Sequence, residues 1–312
     1  SVRRCCLAGC GRGDAMSRQN VTAAAAGIVL AALFATLVGG YPAGSVSAPS
    51  VRASIPGMPV PPGLQTPVPT TVEIKDLSWV EVRAALEAGH TTVIVPTGGI
   101  EQNGPHMILG KHDYIVGWAA AQIAKRLGKT LVAPVVSYVP QGGYEPAEGH
   151  LRYAGTIGVP EPVFAHMLEG IARSLRAGGF RTIVFIGDHG GSQNVQQQVA
   201  LRLSNAWQHA GVRVVHGDAY YDDRQQIARL VEAGETPAAI GEHAGIIDTS
   251  ELMAIRPAGV QLDRIARPAT ALVESGASGD PASATAERGQ MLIALRIEAA
   301  VRQIKALPAE KR

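Results

Sequence analysis

Four short runs rich in β-branched and apolar residues, at 91–96, 130–138, 181–186 and 212–216, alternate with longer stretches of helical periodicity. Strands of that kind, separated by helices, pair in parallel and bury both faces of the sheet, so the chain reads as an α/β protein with a mostly parallel sheet. The helices are expected at 78–88 with Asp76 as its cap, then at 112–127, 163–177 and 192–209. Shorter ones fit 222–233 and 248–255, and a long one, 284–306, closes the chain. In such sheets ligands bind beyond the carboxyl ends of the strands. Two glycine-rich polar segments follow strand ends here: Gly98-Gly99-Ile100-Glu101 and Gly187-Asp188-His189-Gly190-Gly191.

The sequence ahead of this pattern has a different character. Residues 1–15 read as leader upstream of a start at Met16. Arg18 precedes an apolar run over 21–38, and Val46-Ser47-Ala48 is a small-x-small cleavage site. That is the layout of a signal peptide, so residues 1–48 are expected to be removed and the protein exported, to a periplasm or beyond, with no membrane attachment afterwards. An uncleaved anchor is the competing reading of the apolar run. Residues 49–69 hold seven prolines in 21 positions, the composition of an extended linker. The folded domain is expected over 70–312. Without residues 1–48 the chain has 24 basic and 25 acidic residues, and no basic patch points to nucleic acid.

All three cysteines, Cys5, Cys6 and Cys10, lie in the leader. The body of the chain therefore has no thiolate, and any metal ion must be held by His, Asp and Glu. Five of the nine histidines (His106, His112, His150, His189 and His243) fall in glycine-rich polar clusters. Glu101, His112 and His189 supply the carboxylate and two imidazoles of a hydrolytic site with an open position for water. Spacing does not establish this, because the three come from separate loops. His90, His166, His209 and His216 sit on or beside regular elements and read as structural or exposed.

The segment from Val95 to His106 (V-P-T-G-G-I-E-Q-N-G-P-H) resembles the creatininase signature P-x-G-S-x-E-Q-H-G-P-H. Residues 187–192 (G-D-H-G-G-S) resemble its N-G-H-G-G-N. Residues 150–157 look like its E-H-x-x-F-P-G-T-I segment, and residues 243–250 (H-A-G-I-I-D-T-S) resemble H-A-G-x-x-E-T-S. The four motifs occur in family order. The resemblance implies a three-layer α/β/α sandwich and a homo-oligomer, often a hexamer. It implies divalent metal, commonly zinc or manganese and often as a pair; ligation by His and carboxylate suits iron as well, and one or two ions per chain, zinc first, are expected. It implies hydrolysis of a C–N amide bond, possibly cyclic, in a small-molecule substrate.

Carried over residue by residue, the match makes Glu101, His112 and His189 metal ligands and Asp248 a further carboxylate. Asp113 is a candidate to replace a lost one. His243 becomes the proton shuttle, with His150 and Glu242 orienting substrate or tuning it. There are departures. Asn103 stands where the family has His, His112 where it has a metal-bridging Asp, and Gly191 where creatininase itself has Glu. A second metal is therefore expected to be weakened or absent. His106 reads as support for the loop, Asp188 as orienting a ligand imidazole, and Asp248 alternatively as a helix cap completed by Glu251. A peptidase or deformylase of the same family, or a non-catalytic binding relative, are the other functional readings.

Overall fold

The computed structural model describes residues 69–308, all within the compact unit Val51–Arg312. The expected leader and signal, 1–48, and all but the last residue of the expected linker, 49–69, lie outside the described residues. Four parallel strands, β1 (Thr92–Thr97), β2 (Thr130–Val132), β3 (Thr182–Gly187) and β4 (Arg213–His216), form one sheet in the order β2-β1-β3-β4. Nine helices accompany them among the described residues: α1 (Trp79–Glu87), α2 (Lys111–Leu127), α3 (Glu161–Ala177), α4 (Gln193–Trp207), α5 (Arg224–Glu232), α6 (Pro237–Ile240), α7 (Ile246–Ile255), α8 (Ala269–Glu274) and α9 (Ala286–Lys305).

Side-chain alternation along the strands builds two cores. Val93, Val95, Ile183 and Phe185 face α1, α3 and α4, where Leu86, Phe164, Leu168 and Leu203 close over them. Ile94, Val184 and Ile186 face α2, α7 and α9, against Ile115, Leu252, Ile293 and Ile297. Strands apolar on both faces between two helical layers make the expected three-layer α/β/α sandwich. Burying a side chain such as Phe164 or Leu168 stabilises the fold by roughly 1.5–3 kcal/mol.

Three sequence expectations need adjustment. Helix α1 is capped by Ser78, whose N–H donates to the Glu81 carboxylate at 2.7 Å, while Asp76 ends a separate 3-10 turn. Strand β2 stops at Val132 rather than running to Tyr138, because Pro134 has no N–H to give the ladder. The segment still follows β1 through bonds from Ala133 N–H to Ile94 and from Val136 N–H to Pro96. The last helix starts at Ala286, with Thr285 accepting from Arg288 N–H.

Two glycines decide how closely the layers meet. A Cβ on Gly98 would lie 2.0 Å from Asp113 Oδ1, so only glycine lets the turn after β1 rest on the start of α2. A Cβ on Gly289 would lie 1.9 Å from the Ser250 carbonyl oxygen, so α9 reaches α7 only because no side chain intervenes. The first contact lies at the carboxyl end of β1, directly before the polar loop that carries Glu101.

Candidate metal centre

The polar loops converge on one carboxylate. Glu101 follows the β1 turn, is 1% exposed, and is held by its N–H to the Leu109 carbonyl. His112, the second residue of α2, reaches it from below with Nε2 2.6 Å from Oε1. His189, between β3 and α4, brings Nε2 to 2.9 Å from Oε2. On the open side His150 Nε2 is 3.5 Å from Oε2, and His243 Nδ1 is 3.8 Å from Oε1. A cavity of about 330 Å³ opens over this cluster, lined by all five side chains.

The charges are set by burial and neighbours. Burial opposes ionisation of Glu101, but His112 and His189 outweigh it and hold the carboxyl well below its ordinary range. Burial and Lys111 oppose a charge on His112; Glu101 and Asp188 overcome both and raise it to about 9. Burial, reinforced by Lys111, lowers His243 to about 4, and burial also lowers His150. The open side of the centre is thus neutral imidazole and the buried side a charged chain.

That chain continues outward. Asp188 Oδ2 accepts from His112 Nδ1 at 2.7 Å, and Asp188 Oδ1 accepts from Tyr220 at 3.0 Å and faces Arg296 Nη2 at 2.7 Å. Arg296 also pairs with Glu251 at 2.9 Å and donates to the Tyr220 carbonyl. Arg296 offsets the burial of Asp188, which stays well below the ordinary carboxyl range. Asp188 is therefore the group that orients His112.

The remaining sequence candidates have definite places. Asp248 lines the cavity; its Oδ2 accepts from Ala244 N–H at 2.8 Å and meets Lys111 Nζ at 2.9 Å. It sits in the first turn of α7, whose cap position is Gly245, so Asp248 is not the cap; Glu251 is committed to Arg296 and Gln226. Glu242 is an exposed residue of the cavity rim. Asp113 is directed away: its Oδ1 accepts from Gly99 N–H at 2.9 Å and it does not line the cavity. His106 is buried with Nε2 3.2 Å from Thr249 Oγ1, which in turn donates to the Ala244 carbonyl beside His243. Asn103 spends its amide on the carbonyls of Glu101 and Ile108, inside the loop.

Lys111, Arg296 and Gln226 also line the cavity and were not singled out from sequence. For Arg296 a signal existed. It falls among Leu292, Ile293, Ile297 and Ala300 on the buried face of α9, where a lone charge requires a buried partner.

The donor set suits a divalent ion. Glu101 Oε2 and His189 Nδ1 are buried polar atoms without a hydrogen-bond partner, although His189 Nε2 stands 2.9 Å from that oxygen. Glu101, His150 and His243 each offer a ligand atom, all within 4.8 Å of one another. A buried carboxylate oxygen left unpaired among imidazole nitrogens is what a cation would satisfy.

The family model described as creatininase, creatinine amidohydrolase, matches residues 75–304. The chain belongs to the creatininase family. Membership makes it an enzyme of the amidohydrolase class. Among curated relatives, the creatinine amidohydrolase of Pseudomonas putida is 28% identical over 204 residues, covering 62% of this chain and 76% of its own. The mycofactocin precursor peptide peptidase of Mycobacterium tuberculosis is 26% identical over 241 residues, covering 68% and 84%. A solved manganese creatininase superposes with a TM-score of 0.62 over 75% of this chain and 98% of that one, at 24% identity, and so shares the fold.

Proposed function

We propose that this creatininase-family chain hydrolyses a C–N amide bond of a small polar molecule at a centre holding one divalent ion. The observation that carries the reading is Glu101, a buried carboxylate with an unsatisfied oxygen, encircled by four imidazoles at the floor of a cavity of about 330 Å³. That volume lies at the small end of ligand pockets. Glu101, His112 and His189 are the residues that would hold the ion, with zinc favoured and manganese or iron also suited to the donor set. When bound, such an ion supplies Lewis acidity for a carbonyl oxygen and for a water molecule.

The protein's own groups divide the remaining work. Asp188 fixes the direction of His112. His243, neutral and at the open side, accepts a proton from the attacking water and returns it to the leaving nitrogen as the C–N bond breaks. The products are a carboxylic acid and an amine. A single ion is favoured by Asn103, which is turned into the loop, and by Gly191, which has no side chain to offer. The creatinine amidohydrolase match supports a cyclic amide. The longer match to a peptide peptidase supports a second reading, cleavage of a short peptide whose end enters the cavity. Export rests on the 16–48 pattern, and assembly into a homo-oligomer on family membership. Among the described residues no helix is long and apolar enough to cross a membrane.

The test is an assay of chelator-treated protein against cyclic amides and short peptides, with zinc, manganese or iron(II) restored one at a time. Metal-dependent turnover of a cyclic amide supports the first reading and of a peptide the second. Protein that binds no metal in any condition overturns both.

A further inference from the structure

Gln102, next in sequence to Glu101 and 6% exposed, touches both open-side histidines. Its Oε1 accepts from Gly104 N–H at 2.9 Å, and its Nε2 donates to the Gly276 carbonyl at 2.9 Å. The same Nε2 lies 2.9 Å from His150 Nδ1. Its main-chain carbonyl oxygen lies 2.9 Å from His243 Nε2.

These contacts fix the amide's direction. Exchanging its oxygen and nitrogen would set N–H against the Gly104 N–H and oxygen against the Gly276 oxygen, two repulsions in a buried site. The second Nε2 proton therefore points at His150 Nδ1, which must present a lone pair. A neutral His150 then carries its single proton on Nε2. For His243 the logic reverses. A carbonyl oxygen only accepts, so Nε2 must be protonated, and in the neutral ring Nδ1 then holds the lone pair. The two rings lie 4.5 Å apart with opposite tautomers, and each turns its other nitrogen towards Glu101.

We propose that Gln102 is a positioning residue that sets these opposite tautomers, making His150 a hydrogen-bond donor and His243 a lone-pair acceptor. The inference rests on the metal-hydrolase reading only for its consequence. Distance alone admits His150 as a ligand. To ligate, His150 would have to move its proton to Nδ1, against the Gln102 N–H, whereas His112, whose Nδ1–H is held by Asp188, can release its Nε2 proton to a cation. His150 Nε2–H instead donates to an acceptor atom of the substrate, such as its carbonyl oxygen. His243 Nδ1, with its other nitrogen held by a carbonyl, keeps the lone pair that a proton acceptor needs.

The experiment is nitrogen-15 NMR of the imidazoles in the metal-free protein, then in a zinc titration, with Gln102→Leu alongside. In the wild type, His150 is expected to show a protonated Nε2 and a bare Nδ1, and His243 the opposite, with His150 unchanged as zinc saturates. In Gln102→Leu, His150 is expected to become a mixture of tautomers, while His243, held by the main chain, keeps its own. A wild-type His150 protonated at Nδ1, or one whose Nε2 proton is lost on adding zinc, overturns the proposal whether or not the variant folds. Failure of the hydrolase reading would appear separately, as absent turnover or absent zinc binding, with the metal-free tautomers as described.

Discussion

Arg296 and Asp188 form an ion pair at 2.7 Å, buried between α9 and the loop after β3. Asp188 in turn holds His112, so Arg296 acts on the centre through one intervening carboxylate. Arg296→Met strands both Asp188 and Glu251 without their cation. The expected cost is about 3–5 kcal/mol in urea unfolding, the range for breaking a buried pair from one side. A loss below about 1 kcal/mol would show that the pair contributes no more than an exposed one.

Glu101 touches all four imidazoles, so Glu101→Gln keeps the shape and removes the charge. Because loss of a merely orienting partner weakens metal affinity about 10–100-fold, loss of this anchor is expected to exceed about 100-fold in zinc calorimetry. Equal zinc affinity in the variant and the wild type would move the metal site elsewhere.

Lys111 and Asp248 are coupled at 2.9 Å, with the lysine fully buried. Lys111→Met and Asp248→Asn should each destabilise the protein, and the double variant by less than their sum. The coupling expected for contacting residues is about 0.5–3 kcal/mol. Strict additivity would mean that the two charges do not sense each other.

His216 Nε2 lies 3.0 Å from Gln193 Oε1, and burial lowers its pKa below the ordinary 6.5 despite the attraction of Asp218. The folded protein therefore refuses a proton that the unfolded chain takes up. This contribution to stability is complete above about pH 6.5 and is lost as the pH falls from there towards the lower folded value. Thermal unfolding of wild type and His216→Gln across this window should converge on acidification. A constant gap between the two curves would refute the assignment.

Gly289→Ala places a methyl group where the Ser250 carbonyl oxygen already sits. Overpacking of this kind costs about 1–3 kcal/mol, more than the helix propensity gained from alanine. A variant as stable as the wild type in chemical denaturation would show that α7 and α9 separate freely.

Much of this molecule is readable from its residues, and the limits have physical causes. The strands at 91–96 and 181–186 stand out because both faces are buried, which leaves unbroken runs of Val, Ile and Phe. The helices α6 and α8 do not, since four and six residues are too few to show a helical period. Glu101, His112 and His189 are visible as chemistry among glycines, and the structure gathers them at one point. Asp113 looks equivalent to His112 in sequence, but one step along a helix turns a side chain by about 100°, which here directs it to Gly99. Gln102 matches the Q of the signature, but its role is not legible there, because that role depends on Gly276, Gly104 and two histidines far along the chain.

Helix α9 supplies Arg296, while the carboxylate it ultimately steadies, Glu101, lies almost two hundred residues earlier. During synthesis, the early loops leave the ribosome long before their electrostatic counterweight exists. Until that helix has been made, Asp188 lacks its counterion, and the centre takes its finished geometry only after α9 has docked.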